Sequence, residues 1–306
     1  MKDRKTCSNT LYRYAGGKTR VKKDIIKFIF SVNPSLEKIV SPFFGGGSIE
    51  IQLASMGVNV AGYDIFEPLT DFWHYVQEPE KQKELYKILH QQFPLNPAGN
   101  ENLKDITPEE KDRRKGINSQ NYKNYLPLLE SDDRFERAWG FYMAIKGSYS
   151  GKIGCSTFLS REEFRLVGLE KVRDFYNPNL TVKSGNCFDV IPQNNNEFLY
   201  LDPPYYDTIS HYYGKKGELH KSFDHEKLRE VLEKHKGGFV MSYDNSKEVR
   251  KMYKDMADFK LLDITYQMSG TKRQKKKELL IYKKSQVDHV VAKNRQFENI
   301  VKVLDL

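Results

Sequence analysis

The stretch from Ile39 to Asp64 constrains the fold more than any other part of the chain. Ile39 to Phe44 is a short apolar run that ends in Gly45-Gly46-Gly47. A helix-like stretch follows and stops at Gly57, and Val58 to Tyr63 is a second apolar run that ends at Asp64. Strand, tight turn, helix and strand with short connections read as a β–α–β unit. Ser48 is placed to cap the helix and Gly57 to end it. Glycines between strand and helix let the backbone approach a ligand closely, and the helix N-terminus supplies N–H donors. Asp64 lies 17 residues past Gly47, where a carboxylate can accept bonds from ribose hydroxyls. The dinucleotide pattern G-x-G-x-x-G fails because position 50 is Glu50, and a P-loop fails because its leading glycine would fall on Tyr12. A nucleoside cofactor without a pyrophosphate fits better; a plain strand–helix turn is the structural alternative.

Asp202-Pro203-Pro204-Tyr205 ends a second apolar run, Glu197 to Leu201. A strand that stops at two prolines puts its last acid at the carboxyl edge of a sheet, where open α/β sheets bind ligands. The prolines lack N–H groups, so the Pro203 carbonyl is left to accept a bond. Asp202 is a second acceptor and Tyr205 offers a flat apolar face. Two acceptors beside an aromatic plane suit an exocyclic NH2 on a base or an amide. Tyr206 reads equally as backing for that face or as a surface aromatic.

Between these motifs the alternation of strands and helices stops. From about Phe66 to Arg165 the chain reads as an inserted, mainly helical module. Within it, Thr107-Pro108-Glu109-Glu110 fits a capping box. Phe135, Ala138, Trp139, Tyr142 and Met143 form one face of an amphipathic helix, followed by a glycine- and serine-rich loop over 147–152. Before the unit, Val21, Ile25, Ile26 and Ile29 mark another helix. After the insertion, strands are predicted over Leu180–Ser184, Phe198–Leu201, Gly238–Ser242, Leu261–Gln267 and Glu278–Tyr282, with a helix capped by Asp224 before Gly237. The lysine-rich run from Lys272 to Lys277 separates the last two strands and reads as a hairpin loop. The final twenty or so residues read as an appended helix of unassigned purpose.

The chain has 306 residues and a formal charge of +9, which favours a polyanionic partner, nucleic acid first. Its three cysteines are far apart, which argues against a disulfide framework or a zinc site and for a reducing compartment. With neither a membrane span nor a secretory signal legible, the expected location is the cytoplasm.

Tyr14-Ala15-Gly16-Gly17-Lys18, Ser41-Pro42-Phe43-Phe44-Gly45-Gly46-Gly47-Ser48, Asp64, the long insertion, Asp202-Pro203-Pro204-Tyr205 and Phe239-Val240-Met241-Ser242-Tyr243 stand in that order. The series resembles the Dam-like, D12 class DNA adenine-N6 methyltransferases, alpha group, over nearly the whole chain to about residue 284. The resemblance implies an α/β fold, a Rossmann-like seven-stranded mixed sheet whose last hairpin reverses one strand, with a mainly helical inserted target-recognition region. Residues 1–65 and 166–306 would form the catalytic domain and 66–165 the inserted DNA-binding region. It implies S-adenosyl-L-methionine as cofactor and no metal. Phe43, Gly45 and Gly47 would surround the cofactor's methionine part, Asp64 would hold the ribose, and Tyr14 and Lys18 match the N-terminal cofactor motif. Asn186, with Cys187 and Phe188, stands near the place of the cofactor's adenine; the family often has an acid where Asn186 is. Tyr14 stands where tryptophan is common. Asp202, Pro203, Pro204 and Tyr205 match the catalytic motif, with Asp202 also close to the cofactor.

On that reading the substrate is adenine in double-stranded DNA, flipped out of the duplex. Asp202 and the Pro203 carbonyl accept the two N6 hydrogens and Tyr205 stacks on the ring. No covalent intermediate is needed, so Cys187 reads as a packed residue. Phosphate contacts are assigned to Lys272, Arg273, Lys275, Lys276 and Lys277, and sequence readout to Arg113, Arg114, Lys115, Lys146 and Lys152 of the insertion. RNA adenine methylation and a non-catalytic DNA-binding module on the same fold are the alternatives. A protein-amide methyltransferase would usually carry Asn at position 202. A restriction endonuclease partner, the target sequence and the oligomeric state are not legible.

Overall fold

The structure, a computed structural model, describes residues 6–92, 122–148, 151–153, 166–206, 223–266 and 274–286. Its centre is a seven-stranded sheet. The strands are β1 (Lys38–Ser41), β2 (Asn59–Asp64), β3 (Leu180–Ser184), β4 (Leu199–Leu201), β5 (Phe239–Tyr243), β6 (Asp258–Tyr266) and β7 (Gln274–Lys283), in the order β3-β2-β1-β4-β5-β7-β6. The first five run parallel, and β7 lies antiparallel between β5 and β6. This is the mixed Rossmann-like sheet with one reversed strand. The chain leaves β1 toward β2 on one side and later fills the other side with β4. A cleft therefore opens at the carboxyl ends of β1 and β4, where a reversal of strand order leaves room for a ligand.

Both faces of the sheet are covered, which explains why its strands read as continuous apolar runs. Side chains alternate between the faces. Ile39, Phe198 and Tyr200 enter one core with α1 (Lys22–Val32), α3 (Glu67–Gln77) and α5 (Arg134–Gly147). Val40, Leu199 and Leu201 enter the other, with α7 (Cys187–Gln193), α8 (His225–Lys234) and α9 (Lys247–Tyr253). The described residues also form α2 (Glu50–Ser55), α4 (Pro79–Gln92), α6 (Leu166–Asp174) and a 3-10 helix over Pro127–Glu130. Among the described residues no helix is long and apolar enough to cross a membrane.

Several local expectations need correction. The first strand ends at Ser41 instead of Phe44, because Pro42 cannot donate to the ladder. Ser48 does not cap α2: the helix starts at Glu50 without a side-chain cap, and the Ser48 hydroxyl accepts from the Lys18 backbone N–H at 3.2 Å instead. The run 272–277 is not all loop. Gln274 to Lys277 lie on β7, opposite Tyr266 to Asp263, because the ladder with β6 continues beyond the end of β5. α5 is buried nearly all round, since Phe141 meets Tyr12 and Phe72, and Tyr142 stacks on Phe72 at 5.3 Å. Asp224 does cap α8, accepting from the Lys227 N–H at 2.9 Å. The capping box at 107–110 and the C-terminal segment beyond 286 lie outside the described residues.

One close contact ties the sheet to the cleft. The Phe44 ring lies on β2 at Gly62, where an added Cβ would meet it at 2.3 Å. Phe44 leads directly into the glycine turn, so its seat sets the position of that turn. Gly62→Ala should therefore lower stability by about 1–3 kcal/mol, the usual effect of overpacking a tight core. The urea midpoint checks this; an unchanged midpoint would show that the ring has room to move.

Candidate active site

The glycine turn is held from three sides. Gly45 and Gly47 have φ of +48° and +63°, the left-handed region where a side chain is strained. Tyr14 covers the turn so closely that an added Cβ would meet its ring at 3.1 Å from Gly45 and its own Cβ at 2.8 Å from Gly46. The Tyr12 hydroxyl donates to the Gly45 carbonyl at 3.1 Å and accepts from the buried Trp73 Nε1 at 2.9 Å. Asp64, at the end of β2, accepts from the Gly45 N–H at 2.8 Å and from the Phe66 N–H at 3.0 Å. Its carboxylate thus bridges the turn after β1 and the start of α3. Burial raises its affinity for a proton, and the two backbone bonds oppose that rise.

A buried cluster of charge stands opposite. Lys18 Nζ bonds both oxygens of Asp202, at 2.6 and 2.7 Å, and the Gly16 carbonyl at 3.1 Å. The same ammonium is 3.7 Å from Glu278 Oε1 on β7 and 5.0 Å from the centre of the Tyr205 ring. The Tyr205 hydroxyl donates to Glu278, and the ring stacks on Tyr243 with centres 5.9 Å apart. Burial raises the Asp202 carboxyl above its ordinary value, while the Lys18 ammonium works against that rise. Glu50, the first residue of α2, is buried and accepts from the Ser41 hydroxyl at 2.7 Å. Burial pushes its carboxyl up to about 7, against that hydrogen bond and with help from the Asp202 charge.

These two sides enclose a cavity of about 270 Å³. Tyr14, Lys18, Phe43, Gly45, Gly47, Asp64, Asn186, Cys187, Phe188, Asp202 and Pro204 all line it. Pro203, which is buried, and Tyr205 do not line it, although the Tyr205 ring lies 5.0 Å from Nζ of the lining residue Lys18. Asn186 caps α7 by accepting from the Phe188 N–H at 3.0 Å, so one lone pair of its carbonyl is already used. Phe188 stacks on Phe223 with centres 5.8 Å apart, and Phe223 also meets Phe43, which makes one end of the cavity aromatic. Cys187 is a buried thiol, pushed up to about 12 by desolvation. Tyr206 is exposed, with its backbone N–H donating to Asp244 at 2.8 Å.

Lys277 is exposed on β7, whose backbone also carries Lys275 and Lys276. Lys152 follows Gly151, which packs on the Arg13 carbonyl beside the cavity; an added Cβ there would sit 2.4 Å from that oxygen. Lys146 lies on α5 with Nζ 6.0 Å from the centre of the Tyr142 ring. Arg113, Arg114, Lys115, Lys272 and Arg273 lie outside the described residues.

Sequence reasoning passed over Glu50, Glu278, Phe223 and Tyr12. A signal existed for the two acids: each is a lone carboxylate beside an apolar run, Ile49-Glu50-Ile51 and Glu278-Leu279-Leu280-Ile281. A charge in a segment otherwise built for burial marks a partner elsewhere.

A family described as D12 class N6 adenine-specific DNA methyltransferase matches residues 14–269. No curated protein matches the chain. The chain therefore belongs to the D12 class of N6 adenine-specific DNA methyltransferases. It methylates N6 of adenine in DNA, with S-adenosylmethionine as the methyl donor that membership implies.

The raised Glu50 carboxyl has a measurable consequence. Its folded-state value near 7 exceeds the ordinary 4.5, so between those limits the folded protein binds more protons than the unfolded chain. Glu50 therefore makes stability fall as pH rises from about 4.5 to about 7, by up to about 3 kcal/mol, and adds no further slope above that. Glu50→Gln should flatten this part of the profile. Denaturant melts of both proteins at pH 5, 6 and 7.5 check it; parallel profiles would show that Glu50 stays ionised throughout.

Proposed function

We propose that this cavity is the S-adenosylmethionine site and that the target adenine meets it at Asp202. The observation that carries the reading is convergence. All the residues assigned to the cofactor from sequence, drawn from five separate segments and Asp202 among them, line one cavity. The residues also suit the group chemically. Positive φ at Gly45 and Gly47 leaves the turn without side chains where a ligand must come close. Asp64 and Asp202 set two carboxylates against the one ammonium of Lys18, which favours a cationic ligand over an anionic one. Phe188 and Phe223 offer ring faces to an adenine.

Bound there, S-adenosylmethionine supplies an electrophilic methyl on a sulfonium. The protein's task is to make the nucleophile ready, because the N6 lone pair is delocalised into the adenine ring. Asp202 and the Pro203 carbonyl accept the two N6 hydrogens. They orient the nitrogen so that its lone pair faces the cavity. Fixing two reactants in one geometry contributes on the order of 7–11 kcal/mol to lowering a barrier. Tyr205, held by Tyr243 and Glu278, presents its ring beside that position. A base in a duplex reaches the site only by flipping out of the stack.

Double-stranded DNA is the partner this scheme requires. Lys275, Lys276 and Lys277 along β7 are assigned to its phosphates, with Lys272 and Arg273 continuing that run. Sequence readout is assigned to the part of 66–165 that includes Arg113, Arg114, Lys115, Lys146 and Lys152. A DNA substrate and sparse cysteines support a cytoplasmic location.

Asp64 tests the cofactor site. Charge-assisted hydrogen bonds contribute about 1.5–3 kcal/mol. Asp64→Ala should weaken S-adenosylmethionine binding by about 10- to 150-fold. Isothermal titration of the two proteins measures it, with circular dichroism confirming the fold. Unchanged affinity would remove Asp64 from the site.

A further inference from the structure

Lys18 occupies the two oxygens that the adenine amine is to use. Nζ lies 2.6 and 2.7 Å from the Asp202 carboxylate, so the ammonium stands on the acceptor that must face N6. Lys18 is 7 % exposed. An ammonium moved off one carboxylate inside such a wall needs another anionic partner, because a buried charge without one is strongly disfavoured. Glu278 meets that need. Its side chain is 6 % exposed, its Oε1 is 3.7 Å from the same Nζ, and it approaches from β7 while Asp202 approaches from β4. The Tyr205 hydroxyl donates to that same Glu278 oxygen and fixes the carboxylate beside the catalytic motif. The Gly16 carbonyl, 3.1 Å from Nζ, anchors the ammonium on its other side.

We propose that Glu278 is a positioning residue for methyl transfer: as the adenine amine engages Asp202, Lys18 passes from Asp202 to Glu278. The ammonium pivots about the Gly16 carbonyl and remains paired throughout. No proton or bond is exchanged in this step. It clears the Asp202 oxygens and leaves them anionic, and a charged acceptor bonds an N–H more strongly than a neutral one. Because Tyr205 holds Glu278 through its hydroxyl, the ring beside the adenine and the carboxylate that receives Lys18 move as one unit. The inference rests on Asp202 being the N6 acceptor.

The decisive experiment is a crystal structure of the wild-type enzyme with S-adenosylhomocysteine and a duplex. The duplex carries the site found by sequencing DNA that the enzyme has methylated. The expected result is N6 on Asp202 with Lys18 Nζ closer to Glu278 than to Asp202. N6 on Asp202 with Nζ still on both Asp202 oxygens would overturn the hand-over alone. N6 bonded elsewhere would overturn both the hand-over and the role of Asp202. A kinetic test runs beside it. Glu278→Gln still accepts the Tyr205 hydrogen bond but cannot hold the ammonium as an ion pair. Its single-turnover rate at saturating cofactor should fall about tenfold or more, with KM for DNA little changed. In a Lys18→Met background no hand-over is needed, so the same substitution should cost little further. An equal loss in both backgrounds would mean that Glu278 acts only by packing.

Discussion

A single ammonium ties the cleft of this protein together. Lys18 comes from the N-terminal segment, Asp202 from the end of β4 and Glu278 from the reversed strand β7. These parts are far apart in the chain; Lys18 and Asp202 are separated by 184 positions. An ion pair between surface groups would contribute little. This one is largely out of water, so removing either partner leaves a charge uncompensated. The glycine turn depends on the same assembly, because Tyr14, four residues before Lys18, forms the lid over Gly45 and Gly46. The Lys18 backbone N–H also donates to Ser48 just beyond the turn.

The sheet explains why such a cluster can form. Strand order reverses between β1 and β4, so the carboxyl ends of two neighbouring strands diverge and leave a cleft. The β1 side supplies N–H donors and bare backbone, fixed by Asp64. The β4 side supplies a rigid acceptor, since Pro203 and Pro204 restrict φ just past the strand. The reversed β7 places Glu278 close behind Tyr205, and a parallel strand at that position would have needed a long crossover.

Much of this was legible in the residues. Leu180–Ser184 coincides with β3 because an alternating apolar segment is bounded by Asn179 and Gly185. The β–α–β unit and its place beside the cleft followed from apolar runs and glycines at short spacing. Other features were not legible, for identifiable reasons. Ser48 looked like a cap, but its hydroxyl is taken by Lys18, a contact no local pattern reveals. The basic run at 274–277 looked like loop because charge usually marks solvent, whereas a ladder with β6 accommodates it. Phe135 to Met143 showed one apolar stripe, yet α5 is enclosed because α3 covers it from another direction. Glu50 and Glu278 were visible as isolated acids, but their partners come from other segments of the fold.

The central claim is that Asp202 orients N6 for transfer. Single-turnover methylation of unmethylated DNA by Asp202→Ala, at saturating S-adenosylmethionine, tests it most directly. The rate should fall by several orders of magnitude while DNA affinity changes far less, the pattern of an interaction made mainly in the transition state. A rate within about tenfold of wild type would contradict it, because no acceptor essential to the reaction would then have been removed.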